Sequence, residues 1–131
     1  MRWRARVKQL LLVGIGTAIG FNGVAVAVAP GRMQTAYGID DPTPDLTVLL
    51  RHRAVMLALI GAVVVVSAWR PPLRPTARVV AAVSMTSFVL FAFGTGVNAA
   101  QQRVAIADMV LLVALATATA LPDEPRPAAR P

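Results

Sequence analysis

A chain of 131 residues that is 56% hydrophobic and only 15% charged has room for one domain and none for a separate soluble catalytic domain. It has no cysteine, which excludes disulfides, thiol redox chemistry and thiolate metal sites, and one histidine, His52, which excludes a bis-histidine haem within one subunit. The net charge of +7 would suggest nucleic acid in a soluble protein, but here the basic residues flank apolar runs, so membrane lipids are the expected partner and nucleic acid is not.

Four apolar stretches, 9–29, 54–69, 79–100 and 104–121, each approach the ~20 residues that cross ~30 Å of hydrocarbon. They predict an all-α, four-helix transmembrane bundle over residues 1–121. The first stretch follows Arg2, Arg4, Arg6 and Lys8 and carries Gly16, Gly20, Gly23 and Ala27, a small-residue stripe that lets two helices approach closely. A signal peptide is the competing reading, because Ala25-Val26-Ala27 imitates a cleavage site. The length of the run, with Asn22 and the glycines, suits a packed helix better.

Residues 30–53 form the one sizeable external segment. Thr43, Pro44 and Asp45 supply a cap, a first-turn proline and a first-turn acid, so the second helix is predicted to start near Pro44. Asp40, Asp41 and Asp45 read as a capped, solvated loop rather than a metal site. Arg51, His52 and Arg53 fall where headgroups meet hydrocarbon. Ala54, Ala58 and Ala62 form the packing face of this helix, with Arg51 one turn before Ala54 on it. His52 leads instead into Met56, Leu59, Val63 and Val66, a bulky face expected to meet lipid.

The connection at 70–75 is too proline-rich for a helix, and Thr76 is expected to cap the third helix. Ser84, Ser87, Phe91, Thr95, Asn98 and Gln102 recur at three- and four-residue steps, predicting an inward polar stripe. Gln101, Gln102 and Arg103 are read as the tight link to the fourth helix. Asp108 then lies five residues, or ~7 Å, below the outer end of that helix. Pro122 stops it, and 122–131 reads as a disordered cytoplasmic tail. Nine basic residues fall on the side of the termini and four on the other, so both termini are predicted to be cytoplasmic, with Trp3 and Trp69 at the inner interface.

This threading carries Asn22, Arg51, Arg53, Asn98, Gln101 and Asp108 to the outer half of the bilayer as candidate ligand-binding residues. Asp108 is the only acid inside a span and calls for a partner. Arg51 is the first choice and Arg53 the second. The pair reads as a structural ion pair, as a site for an anionic headgroup or carboxylate, or as a proton-coupling site through Asp108. No paired carboxylates, nucleophile motif or metal-ligand cluster stands out, and the Gly14, Gly16, Gly20 spacing is not a dinucleotide fingerprint. No catalytic residue, metal or cofactor is therefore expected.

The stretch Tyr37-Gly38-Ile39 through Leu50-Arg51-His52-Arg53-Ala54, followed by a helix containing Gly61, resembles small bacterial four-helix membrane proteins of broadly DoxX-like type. The resemblance implies architecture and carries over no activity. The missing cysteines depart from any thiol-oxidising role. Twelve of the thirteen basic residues are arginine, and with the Ala/Val richness this reads as a GC-rich, actinobacterial type of genome. The expected location is a bacterial plasma membrane. The leading functional expectation is a non-enzymatic accessory or scaffolding subunit that packs against other membrane proteins or itself. The alternative is a carrier or binder of a lipid or small amphipathic anion, and the third is a lipid-modifying enzyme.

Overall fold

The computed structural model of the chain describes residues 2–29 and 31–122. It has α1 (Arg2–Val28), α2 (Gly31–Tyr37), α3 (Pro44–Ser67), α4 (Arg74–Thr95) and α5 (Ala99–Ala120), a 3-10 turn at Pro71–Leu73, and no strand among the described residues. α1, α3, α4 and α5 are each long and apolar enough to cross a membrane, and only 17–33% of each apolar stretch is buried inside the bundle. The outward surface is largely Val, Leu, Phe and Ile, which calls for an apolar surrounding. The chain is a multi-pass membrane protein built as an all-α bundle of four long helices.

The helix boundaries follow local chemistry, with two corrections. α3 starts at Pro44, where the Thr43 hydroxyl accepts a hydrogen bond from the Leu46 amide at 3.3 Å. α4 starts at Arg74, ahead of Thr76, and has no side-chain cap. Pro71, Pro72 and Pro75 occupy first-turn positions, where a missing N–H costs nothing, so the proline-rich connection winds up instead of staying extended. The α4–α5 hairpin turns at Gly96, Val97 and Asn98, not at 101–103. Gly96 takes the left-handed conformation that ends α4, and Asn98 caps α5 by accepting from the Gln101 amide at 3.0 Å. Asp108 therefore lies nine residues into α5, ~14 Å from its start, too deep for the helix dipole to account for it. Residues 123–131, most of the expected tail, lie outside the described residues.

α1 packs most intimately on α3. A Cβ on Gly16 would stand 2.6 Å from the Gly61 carbonyl oxygen, and one on Gly23 would stand 2.5 Å from the Ala54 oxygen and the Ala58 nitrogen. A Cβ on Gly61 would run into the backbone of Gly16 and Gly20. Gly20 itself has ordinary room, 3.7 Å. Ala54 and Ala58 belong to this contact, but Ala62 is exposed, and Gly61 holds the place expected of it. One residue is ~100° of helix rotation, and only the residue without a side chain fits at the crossing.

The buried face of α4 is Ala77, Ala81, Met85 and Ala92. This corrects the expected polar stripe, because Phe91 is 70% exposed and Thr95 and Gln102 are also exposed. The hydroxyls need no inward partner. Ser87 donates to the Ser84 carbonyl at 2.9 Å and Thr95 to the Phe91 carbonyl at 2.8 Å. His52, Met56, Leu59, Val63 and Val66 are all exposed along one side of α3.

Two apolar clusters result. The larger draws Leu12, Ile15, Val64, Ala81, Met85 and Leu115 from all four long helices. The smaller joins Val26, Met33, Tyr37 and Ala54 where α2 folds over the end of the bundle. At the opposite end, Lys8 is buried and donates to the Leu121 carbonyl at 2.6 Å, while Arg74 donates to the Ser67 and Ala68 carbonyls at 3.1 and 3.0 Å. Both cations sit at helix C-termini, where orphan carbonyls and the dipole favour them.

Candidate functional site

A cavity of about 380 Å³ opens where the two apolar clusters part, beneath α2. Its walls are mainly apolar, with Ile19, Val26, Leu57, Met85, Val104 and Leu111 among them. Its polar groups are Asn22, Arg32, Thr35, Arg53, Arg103 and Asp108. Three cations against one carboxylate make it electropositive. A volume in this range with a few convergent polar groups is what a small-ligand site requires.

α2 roofs the cavity through Arg32, Thr35 and Ala36. It is held by Tyr37, which is 2% exposed. The Tyr37 carbonyl accepts from the Asn98 side-chain amide at 2.8 Å and from the Gln101 side-chain amide at 3.4 Å. Gly38 follows at φ +63°, and a Cβ there would press on the Asn98 amide at 3.0 Å. A left-handed, side-chain-free residue thus lets the chain turn out of α2 against the α5 cap. Asn98 and Gln101 therefore anchor α2 to α5 and do not line the cavity.

Arg53 is the best-held cation of the site. Its Nη1 donates to the Tyr37 hydroxyl at 2.6 Å, and its guanidinium lies 4.4 Å from the Phe88 ring centroid and 5.3 Å from that of Tyr37. Two aromatic faces and a phenol oxygen compensate this partly buried charge. Burial pushes the Tyr37 phenol above its usual range, with Arg53 pulling the other way, so it remains a neutral acceptor.

Asp108 faces the same cavity. The field of Arg53 reaches it, but it makes no hydrogen bond or ion pair among the described residues. Arg51, the partner first expected, is exposed and lies outside the cavity lining. Near the start of α3, Leu50 packs against the α2 cluster beside Ala54, and Arg51 is turned away from it. Of the six candidate residues, the fold brings Asn22, Arg53 and Asp108 together, uses Asn98 and Gln101 to tie down α2, and leaves Arg51 outside. The sequence reading missed Tyr37, Phe88, Arg32 and Arg103. Tyr37 is the chain's one tyrosine, the signal that could have marked it as Arg53's partner. Arg103 was hidden by the misplaced hairpin.

Among the described residues, no three His, Asp or Glu side chains converge as metal ligands. Asp40 accepts from the Gln34 amide at 2.8 Å, and Asp45 sits in the first turn of α3. No protein-family model, curated protein or solved structure matches this chain.

Proposed function

We propose that this protein binds an amphipathic anion within the membrane, as a carrier or binding protein, through the cavity beneath α2. The observation behind the reading is one space with two chemistries, an apolar wall and a cluster of three arginines. Exposed lining residues on α1 and α5, Ala18, Phe21 and Ala107, form a rim that lipid can reach from the side. Arg32 and Thr35 form an exposed rim at the α2 end. The decisive experiment is purification in a mild detergent followed by mass spectrometry of the intact protein. A retained lipid or amphiphile supports the reading, and Arg103→Gln should reduce its occupancy.

The accessory-subunit reading has one feature behind it. Leu90, Phe91 and Phe93 are exposed on α4, next to Gly94, where an added Cβ would meet open space. Stoichiometric partner proteins without a bound small molecule would favour it.

We further propose that both termini are cytoplasmic and that α2 is external. The nine-to-four division of basic residues supports this orientation, with Lys8, Arg74 and Arg78 at the end away from α2. A reporter active only in the cytoplasm should work when fused after Pro131 and be silent when inserted at Asp41. The reverse pattern would invert the site to the inner leaflet.

A further inference from the structure

Resting on the proposed binding site, we infer that its ligand is a single-chain amphiphile with a hydrogen-bond donor, a hydroxyl or an ammonium, between its anionic head and its chain. The inference comes from the order of groups along α5. Arg103 lines the cavity near the α2 end, Asp108 lines it five residues or ~7.5 Å deeper, and Leu111 lines it ~12 Å below Arg103. On α1, Asn22 stands near the α2 end and Ile19 and Ala18 lie below it. The cavity therefore presents cations at its α2 end, a carboxylate in the middle and an apolar floor.

Each level selects a group. Arg103 and Arg32, both exposed at the rim, suit a phosphate or carboxylate head. Asp108 repels a second anion and has no hydrogen bond of its own among the described residues, so it suits a donor. Arg53 does not neutralise it by contact, because the Arg53 guanidinium is held on Tyr37 and Phe88. The floor, with Leu57, Met85 and Leu111, suits a hydrocarbon chain. At about 380 Å³ the cavity stands near the lower end of small-ligand sites, which argues for one chain rather than two.

A ligand series on the unmodified full-length protein in detergent tests this by calorimetric titration. The probes are a single-chain lysophosphatidic acid, its deoxy analogue lacking the glycerol hydroxyl, its 2-amino analogue and a two-chain phosphatidic acid. The lysophosphatidic acid should bind at least about tenfold more tightly than the deoxy analogue, as expected for a donor lost from a charged acceptor. It should also outbind the two-chain lipid. Tighter binding of the 2-amino analogue would assign the donor as an ammonium and support the same arrangement. In Asp108→Ala the preference over the deoxy analogue should vanish, whereas Arg103→Gln should weaken all phosphates alike. Equal binding of the hydroxyl and deoxy probes by the unmodified protein overturns the inference and leaves the binding site standing. Failure of every probe to bind overturns both.

Discussion

Gly61→Val is expected to destroy the folded bundle. The crossing of α1 and α3 is set by backbone touching backbone, and any side chain at Gly61 would occupy space held by the Gly16 carbonyl and the Gly20 main chain. Neither is the end of a flexible side chain, so the helices must separate, and separation opens the interface that also holds Ile15, Ile19 and Val64. Overpacking a well-filled contact costs ~1–3 kcal/mol, and a backbone clash on both sides belongs at or above the top of that range. Thermal unfolding in detergent should show no cooperative transition for Gly61→Val. Gly16→Ala and Gly23→Ala should each lower the midpoint. Gly20→Ala, with 3.7 Å to spare, should be tolerated. Gly14 and Gly94 meet open space, so alanine there should be neutral or stabilising by up to about 1 kcal/mol through helix propensity. A folded, wild-type-like Gly61→Val protein would mean that the two helices do not cross here.

Arg53→Met is expected to cost about 3 kcal/mol, the sum of a charge-assisted hydrogen bond and two aromatic contacts. Arg51→Gln, on the exposed side of the same helix, should leave the unfolding midpoint unchanged. Two residues are ~200° of helix rotation, so the comparison tests the rotational setting of α3 directly. Tyr37→Phe should lose less than Arg53→Met, and combining the two should be less than additive by more than about 1 kcal/mol, since both remove the same hydrogen bond. Asp108→Asn should be mild by itself, because it breaks no hydrogen bond or ion pair among the described residues. Strict additivity of Arg53→Met and Tyr37→Phe would show that α2 is not held through Arg53.

The number of long apolar helices, the start of α3 at Thr43-Pro44-Asp45 and the exposed edge of α3 from His52 to Val66 were legible in the sequence. Each depends on groups within a turn or two of one another, or on transfer from water to hydrocarbon, which composition reports directly. Rise per residue placed Asn22, Arg53 and Asp108 in the same half of the bilayer, and all three line the cavity beneath α2, although the moved hairpin sets Asp108 deeper in its helix than expected. Tertiary structure decided the rotation of each helix. The choices of Arg53 over Arg51 and Gly61 over Ala62 turn on one or two residues, and each residue moves a side chain ~100° around the axis. Hydropathy is nearly uniform around these helices, since lipid and bundle interior are similarly apolar, so no amphipathic stripe reports that angle. Helix contacts set it instead: glycine against backbone between α1 and α3, and Tyr37 against Arg53 and Asn98 between α2 and its neighbours. The hairpin turned at Gly96 for a related reason. A left-handed glycine followed by an asparagine cap satisfies both helix ends there, whereas residues 101–103 continue α5, with the Gln101 side chain on the Tyr37 carbonyl and Gln102 and Arg103 exposed.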